Sequence, residues 1–327
     1  MFDIMMINLQ VFATEVQTTL LPGLSVENKT YYDMTLIDEA QAALVHDQFA
    51  QKRDIPKNGG KKIEFRKFAS LPKALTPLTE GVTPDGKSLN VTAIEATVSQ
   101  YGDYITMSDV LDLTAIDPVI VEATKILGRQ AGLTLDTVTR NILQAGTNVT
   151  YCPKANGTAV TSRSDLDDTC QLTVKVVKQV VAKLKGQNAP TINGKYVAIV
   201  HPYVAYSLMT DPEWIDAHKY ANPTNLYNGE IGEIAGVRFV ETTEAKVHAG
   251  GVFGTLFLGA NAYGTTEITG GGLQTIVKPK GSAGTADPLD QRSSVGWKGM
   301  KTAEILIDNY IVRVESKVAD FANTAEN

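Results

Sequence analysis

One stretch of the sequence matches the pattern with which many proteins hold nucleotide phosphates. Residues 81–88 read Gly-Val-Thr-Pro-Asp-Gly-Lys-Ser, which is Gly-x-x-x-x-Gly-Lys-Ser. A working phosphate loop follows a buried strand and begins a helix, because the first N–H groups of the helix and its dipole face the phosphates. Here a segment rich in proline and threonine precedes the glycines, and the β-like residues Leu89-Asn90-Val91-Thr92 follow. We therefore favour a Pro-Asp-Gly hairpin turn over a nucleotide site.

Histidine and cysteine, which serve as ligands and nucleophiles, are sparse in this chain. The four histidines are far apart in sequence: His46, His201, His218 and His248. None has a partner at a metal-ligand spacing, and His201 before Pro202 is typical of a turn or a helix cap. Cys152 and Cys170 are too few for a disulfide framework or a four-ligand metal site, and neither lies in a nucleophile motif.

Two clusters of charge remain. The acidic residues Asp165, Asp167 and Asp168 lie at a predicted helix start, where carboxylates stabilise the helix dipole. The basic cluster Lys61, Lys62, Arg66 and Lys67 is either a solvated strand face or a contact for an acidic neighbour. From these residues we expect no catalytic residue, no cofactor, no metal and no enzymatic activity.

Composition narrows the class of protein further. A chain of 327 residues that is 43% hydrophobic has material for more than one folded domain. Its net charge of −6 argues against wrapping nucleic acid through phosphate neutralisation. No apolar run reaches the length of a membrane span, and Asp3 stands where a secretion signal would be basic. We expect a soluble protein that is intracellular when made.

The first fifty residues suggest an arm followed by a helix. Between Met1 and Val26 the only charged side chains are those of Asp3 and Glu15. An arm of this kind has to pair with a sheet or lie against another subunit, since it would aggregate in water. The pattern then predicts a helix from Asp33 to about Arg53, with an apolar stripe on one face. The stripe consists of Leu36, Ala40, Leu44 and Val45.

Two β-like segments follow, Ile63–Phe68 and Leu89–Thr106, and both are rich in β-branched and aromatic residues. They predict a long two-stranded ribbon whose polar tip lies near residues 85–87. An isolated ribbon is barely stable, so this one needs a surface to lie on.

A long helix is predicted from Asp117 to Gly146, about 28 residues or about 42 Å. Its apolar positions recur at steps of three and four: Val119, Ala123, Ile126, Leu127, Ala131, Leu135, Val138 and Ile142. Gly128 and Gly132 would let another backbone approach closely.

The rest of the chain predicts a mixed body of helices and strands. A helix that starts at Asp165–Thr169 and stops at Gly186 buries a valine-rich stripe, and two shorter helices start near Pro202 and Pro212. The predicted strands cover residues 196–200, 237–241, 252–258, 273–277, 302–307 and 311–315. The fold class is therefore α+β.

The order of these elements resembles the major capsid proteins of tailed bacteriophages with the Hong Kong 97 fold, and within them the branch related to the coliphage N-four major capsid protein. Three stretches carry the resemblance. Residues 229–242 read GEIGEIAGVRFVET, residues 287–298 read DPLDQRSSVGWK, and the third stretch is the strand region 303–316.

The resemblance implies four domains. Residues 1–55 would form an N-terminal arm and helix, and residues 56–108 an extended loop that lies over a neighbouring subunit. Residues 109–164 with 287–327 would form a peripheral domain around the long spine helix. Residues 165–286 would form a mixed α/β axial domain, whose tips meet at the centres of hexamers and pentamers.

The implied function is that of a major capsid protein, which self-assembles as hexamers and pentamers into an icosahedral shell around double-stranded DNA. The implied partners are a scaffolding protein, a portal protein and decoration proteins, with no sequence-specific DNA contact and no membrane. Assembly would take place in the bacterial host cytoplasm.

Three other functions stay open at this point. An encapsulin-like compartment would have the same fold around a cargo enzyme instead of DNA. A tail-tube or other ring-forming virion component would stack into tubes. The phosphate-loop pattern leaves a nucleotide hydrolase as the third.

Overall fold

The computed structural model describes residues 36, 39, 44–68, 71–83, 85–114, 119–221, 232–266, 271–282, 284 and 287–327. The predicted arm lies outside these residues. The helices are α1 (Asp109–Thr114), α2 (Val119–Gln144), α3 (Val174–Gly186), α4 (Pro202–Met209) and α5 (Pro212–Ala221). The strands are β1 (Gln51–Lys52), β2 (Lys62–Phe68), β3 (Val91–Thr97), β4 (Ser99–Ser108), β5 (Val149–Tyr151), β6 (Tyr196–Val200), β7 (Glu233–Ile234), β8 (Val237–Glu241), β9 (Val247–His248), β10 (Val252–Leu258), β11 (Tyr263–Thr266), β12 (Gln274–Lys278), β13 (Arg292–Ile305) and β14 (Ile311–Ser316).

The chain divides into two compact units. The smaller unit contains residues up to Ala42 together with Gly102–Gly132 and Leu273–Gly299. In it the first half of β13 pairs with β12 in antiparallel register, and β4 also pairs with β13. The first half of α2 lies in this unit, where a Cβ on Gly128 would stand 2.8 Å from the backbone oxygen of Leu36. The predicted close approach of another backbone is confirmed at Gly128.

The larger unit contains Ala43–Tyr101, Leu133–Gly272 and Met300–Asn327. Its main sheet has the strand order β5-β14-β10-β6-β8-β7, and β9 pairs with β10. The pairs β5–β14 and β6–β8 are parallel, whereas β10 is antiparallel to both of its long neighbours. Helix α3 buries its valine stripe in the core cluster of this unit, as its pattern predicts. The second half of β13 pairs with β11, which pairs in turn with β1.

The ribbon is confirmed as far as Thr97. Strands β2 and β3 are antiparallel from Lys62↔Thr97 to Phe68↔Val91 and form a two-stranded sheet of their own. The predicted second strand, Leu89–Thr106, is divided at buried Val98 into two strands. The N–H of Val98 bonds to the backbone oxygen of Lys61, which extends the register of β2 and β3 by one residue. Beyond Val98 the chain continues as β4.

Two helix predictions are wrong at their ends. Residues 44–50 form turns instead of the end of a helix reaching Arg53, because the carboxylate of Asp136 accepts the backbone N–H groups of Val45 and His46. The helix predicted from Asp165 begins at Val174, whose N–H bonds to the carboxylate of Asp211.

The long helix is confirmed over residues 119–144. Two further details of the structure differ from the predictions. Ile126, one of the recurring apolar positions of the long helix, is 63% exposed. The strand predicted at residues 302–307 is the end of the 14-residue strand β13. The part of β13 before residue 302 contains Gly296 and Gly299 and therefore lacks a β-like pattern.

Candidate assembly surfaces

The phosphate-loop pattern lies in the irregular connection between β2 and β3. Of its residues, 81–83 and 85–88 are described; they form neither a strand nor a helix, and all are exposed. Strand β3 follows at Val91, where a phosphate loop would need a helix. The segment therefore lacks the backbone that holds phosphates.

The residues that the sequence offered as candidates for chemistry lie in different parts of the structure. His201 caps α4, where its Nδ1 accepts a hydrogen bond from the N–H of Tyr203 at 3.2 Å, so the predicted capping role is confirmed. Cys152 and Cys170 are both buried free thiols, and burial raises the pKa of each. The position of the His218 side chain lies outside what the structure describes.

The acidic residues 165, 167 and 168 do not start a helix but lie in and after a short 3-10 turn. Hydrogen bonds to Asp167, first from the Thr169 hydroxyl and then from Lys154, hold its pKa well below the ordinary value. Asp168 faces Lys317 at 3.8 Å. Among the described residues no group of three or more His, Cys, Asp or Glu side chains is placed to hold a metal ion.

The predicted basic cluster lies at the base of the ribbon. Lys62 is 3.0 Å from Glu95 across the strand pair, and Arg66 is 3.3 Å from Glu64. All four side chains are largely exposed, so each ion pair adds little to stability. Beside this base, a small pocket lined by Arg53, Phe65 and other residues places the Arg53 guanidinium 5.9 Å from the Phe65 ring.

Beyond its base the ribbon presents apolar side chains to solvent. The large hydrophobic residues that are more than two-fifths exposed in this segment are Phe68, Leu71, Leu75, Leu78, Val82, Leu89 and Val91. We call residues 71–83 and 85–90 the ribbon tip. Soluble monomers rarely display so many large apolar side chains in one segment, and such a surface usually marks a protein contact.

A surface pocket of about 420 Å³ lies in the smaller unit, between β4, β12 and β13. Its lining includes Asp103, Tyr104, Ile276, Lys278, Gly296 and Trp297. A Cβ on Gly296 would stand 2.7 Å from the Cβ of Tyr104, so the glycine lets the two strands approach at the pocket floor. The Tyr104 side chain is 70% exposed, and we call this the Asp103 pocket.

A buried polar cluster in the larger unit has no counterpart in the sequence predictions. The Nδ1 of His46 is 2.6 Å from Asp136, the Thr139 hydroxyl donates to Asp47 at 2.7 Å, and Lys301 pairs with Asp47. The helical spacing of residues 136 and 139, which places both on the buried stripe of α2, is the signal in the sequence that could have found them.

A second buried charge lies on β14. The carboxylate of Glu315 accepts two hydrogen bonds from the guanidinium of Arg163, at 2.5 and 2.7 Å, and is 3.0 Å from Arg313. Burial, the largest single cause, would raise the pKa of Glu315, but the hydrogen bond and charge of Arg163 together with the charge of Arg313 outweigh it, and the pKa falls below its ordinary value. The nearby His248 is buried, and its burial, reinforced by Arg163, lowers its pKa to about 4.

In the part of the chain that the structure describes, no helix is both long enough and apolar enough to cross a membrane.

Solved capsids have the same arrangement of elements. The capsid of cyanophage P-SCSP1u is similar with a TM-score of 0.67 and 13% identity, covering 84% of this chain and 88% of that one. The capsid of cyanophage Pam1 also gives 0.67 at 13% identity, covering 88% and 93%. A virus-like particle from Pyrococcus furiosus gives 0.52 at 10% identity, covering 88% and 100%. No curated protein matches the sequence significantly.

The likeness to these structures confirms the predicted α+β fold of the Hong Kong 97 type, while the branch related to coliphage N-four stays a prediction. A family model described as phage capsid protein matches residues 91–310, which is more than half of the chain. This chain therefore belongs to the phage capsid protein family.

Proposed function

We propose that the chain is the major capsid subunit of its virion, and that it self-assembles as hexamers and pentamers into an icosahedral shell enclosing double-stranded DNA. The observation that carries this proposal is the ribbon. It has two strands, it extends into a tip rich in exposed apolar side chains, and it is not part of either larger sheet. A ribbon of this kind is stable only when it lies on another surface, and in a self-assembling protein that surface belongs to another copy.

The four predicted domains are proposed as the parts of this subunit. Residues 56–108 serve as the extended loop, and the pairing of β2 with β3 supports that role. The 26-residue helix α2 serves as the spine of the peripheral domain, 109–164 with 287–327. The axial domain, 165–286, contains β6 and β10 of the main sheet. Residues 1–55 serve as the arm and its helix.

The role is structural. The subunit takes no cofactor and catalyses no reaction, and the exposed phosphate-loop pattern without its helix supports this. A net charge of −6 suits a container that encloses DNA without gripping it. A scaffolding protein, a portal protein and decoration proteins are proposed as further partners, with assembly in the cytoplasm of the bacterial host.

An encapsulin-like compartment is the second candidate, because the virus-like particle from Pyrococcus furiosus has a related fold. Its TM-score of 0.52 is lower than the 0.67 of the cyanophage capsids, so we favour the phage shell. Shells isolated from phage-infected cells decide between the two, since one contains DNA and the other a cargo enzyme.

Negative-stain electron microscopy of the expressed protein tests self-assembly. We expect closed shells from the unaltered chain and none from the triple variant Leu75→Ser, Leu78→Ser, Val82→Ser, which makes the ribbon tip polar. The matched control is Thr76→Ser, Thr79→Ser, Thr83→Ser, which changes the same segment but removes no large apolar side chain, and it should form normal shells. Stacked rings or tubes, or a stable monomer at high concentration, would contradict the proposal.

A further inference from the structure

The small pocket beside the base of the ribbon, which we call the Arg53 pocket, is enclosed by three parts of the larger unit. The ribbon forms one wall, the chain around β1 forms a second, and the turns before β11 and after β13 form the third. Its volume is about 120 Å³, well below the roughly 300 Å³ of pockets that enclose whole drug-sized ligands. The pocket therefore has room for one small chemical group. Its lining includes Arg53, Phe65, Arg66, Lys67 and Asn261.

The ribbon directs one of its two neighbouring basic side chains towards this pocket. Successive side chains of a strand point to opposite faces. On one face Arg66 lies 3.3 Å from Glu64 and pairs with it. Lys67 lies on the other face with Phe65, which is buried where its ring packs over Gly264. Since this second face lies towards the body of the unit, the Lys67 ammonium stands on the pocket side of the ribbon.

Arg53 places a second cation on the opposite wall. Its N–H continues the pairing of β1 with β11 by bonding to the Thr265 backbone oxygen at 3.1 Å. Its guanidinium carbon is 5.9 Å from the centre of the Phe65 ring, a contact that orients the guanidinium and leaves its N–H groups available. None of the described lining residues is acidic, and within the described chain neither Arg53 nor Lys67 forms an ion pair. The two positive charges at this pocket are therefore not neutralised by the subunit itself.

Asn261, in the turn before β11, adds hydrogen-bond donors without charge. Its φ of 56° is left-handed, and backbone N–H groups near such turn positions converge into concavities that suit anions. Neither its backbone N–H nor its side-chain amide has a hydrogen-bond partner among the residues that the structure describes. The pocket thus combines two cations with a neutral donor, each from a different wall.

This set of donors fits a phosphate group. A guanidinium pairs with two phosphate oxygens at once, whereas a lysine ammonium acts as a point charge. A terminal phosphate has three strong acceptor oxygens, enough for Arg53, Lys67 and Asn261 together. A carboxylate has only two oxygens, and Arg53 alone would engage both. A metal cation is excluded because the charges at the pocket are positive.

We propose that the Arg53 pocket binds one phosphate group, carried by a free phosphate ion or by the backbone of DNA, and that this group joins the ribbon to the body of its own subunit. Arg53 and Asn261 belong to the body and Lys67 to the ribbon, so a phosphate held by all three bridges them. Without the anion the two like charges oppose the approach of the ribbon to the body. The bound group takes part in no reaction. The inference goes beyond the proposed function, because the site lies within one subunit.

Calorimetric titration of the dissociated subunit with inorganic phosphate, at an ionic strength held constant with chloride, tests the site. We expect saturable binding of one phosphate per subunit. Arg53→Gln and Lys67→Gln should each weaken it at least tenfold, because each removes a charged donor. Arg66→Gln is the matched control, since it removes the same charge from the neighbouring residue on the other face, and it should change the affinity less than twofold. Lys67→Arg, which keeps the charge, should restore binding.

Three results would overturn the site. The first is the absence of saturable binding to the unaltered subunit. The second is equal weakening by Arg53→Gln, Lys67→Gln and Arg66→Gln, which would indicate a general attraction to the basic surface. The third is binding of a hexaglutamate peptide that depends on Arg53 while phosphate does not bind, because the pocket would then take carboxylates. If the unaltered chain forms no shells, the proposed function fails, but these titrations still decide the site.

A short DNA duplex used as a second probe distinguishes the two sources of phosphate. If the duplex displaces inorganic phosphate, and its affinity falls in Arg53→Gln but not in Arg66→Gln, the ligand is the DNA backbone. If the duplex binds all of the variants alike, the ligand is the free ion.

Tryptic cleavage measures whether the bound group fixes the ribbon. Saturating phosphate should slow cleavage of the dissociated subunit after Arg66, which does not touch the phosphate, at least threefold. Cleavage after Lys87 in the ribbon tip should be unchanged, and in Arg53→Gln phosphate should change neither rate. If phosphate binds in an Arg53-dependent manner but leaves the rate after Arg66 unaltered, the bridging role is wrong.

Discussion

Single buried polar side chains decide several local conformations in this subunit. Asp136 lies on the buried stripe of α2, accepts the N–H groups of Val45 and His46, and so holds residues 44–50 in turns instead of the predicted helix. Lys301 is 2% exposed and pairs with Asp47. A buried charge is tolerated only with such a partner, because the unpaired group would lose its hydration without compensation. These contacts fix the path of the chain where apolar packing alone would leave several choices.

His248 should make the stability of the subunit depend on pH. Its Nε2 is buried and, within the described residues, has no hydrogen-bond partner, and its pKa in the folded chain is about 4 against an ordinary value of 6.5. The unfolded chain therefore binds a proton between these values that the folded chain does not, so stability is full above about pH 6.5 and falls as the pH drops towards 4. The expected loss is up to about 3 kcal/mol, measured by urea unfolding of the dissociated subunit.

The variant His248→Gln isolates this effect, since glutamine does not titrate. Its stability should change less than that of the unaltered chain between pH 6.5 and 4. The loss of stability that remains below that pH range is due to carboxylates such as Glu315. The pKa of Glu315 is lowered in the folded chain, so its carboxylate stabilises the fold above the ordinary pKa of a glutamate, and this stabilisation is lost as the pH falls. Parallel pH profiles for the two proteins would exclude His248 as the group responsible.

At the scale of elements, periodic apolar patterns predicted the fold well. Helix α2 and the buried strands β6, β8, β10 and β14 lie close to where spacing and residue type place them. The predictions failed where a tertiary contact overrides a local signal. The carboxylate that accepts the first N–H group of α3 belongs to Asp211, 37 residues further along the chain. The acidic residues at 165–168, which are nearer in sequence, therefore do not mark the start of this helix. The Asp103 pocket could not be predicted at all, because its lining comes from three strands that only pairing brings together.

Gly128 should be required where α2 meets the segment containing Leu36 and Glu39. A Cβ there would stand 2.8 Å from the Leu36 backbone oxygen and 3.1 Å from the Glu39 Cβ, so Gly128→Ala forces these elements apart. We expect a loss of about 1–3 kcal/mol in the free energy of unfolding, as for other overpacked sites. Urea titration of the dissociated subunit, followed by tryptophan fluorescence, measures it.

The matched control is Gly186→Ala at the last residue of α3, where a Cβ would meet no atom within 4 Å. Alanine there restricts the unfolded chain without a clash and should raise stability by up to about 1 kcal/mol. We thus expect glycine-to-alanine substitution to lower the free energy of unfolding at position 128 and to raise it at position 186. If both variants gained stability, the contact of Gly128 with Leu36 would be looser than its geometry indicates.

At the scale of the whole molecule, the chain buries one set of large apolar side chains in its core and leaves another set exposed on the ribbon tip. The core cluster of the larger unit is formed by buried residues that the chain covers itself. The ribbon tip, in contrast, leaves five large apolar side chains more than half exposed: Leu71, Leu75, Leu78, Val82 and Leu89. Obligate interfaces commonly bury more than about 2,000 Å², and an extended ribbon supplies such area without a larger body.

This division predicts different susceptibility to proteolysis before and after assembly. Trypsin should cut dissociated subunits first after Lys73 and Lys87, because both lie in exposed backbone without regular secondary structure. The proposed function has a neighbour covering the tip in closed shells, so we expect cleavage at these two sites to slow at least tenfold on assembly, as followed by mass spectrometry of the fragments. The variant with serines at 75, 78 and 82, which we expect not to assemble, should be cut at the fast rate at every protein concentration. Equal rates in shells and in dissociated subunits would mean that the tip stays in solvent after assembly, and the apolar surface of the ribbon would then have to serve a partner other than its own kind.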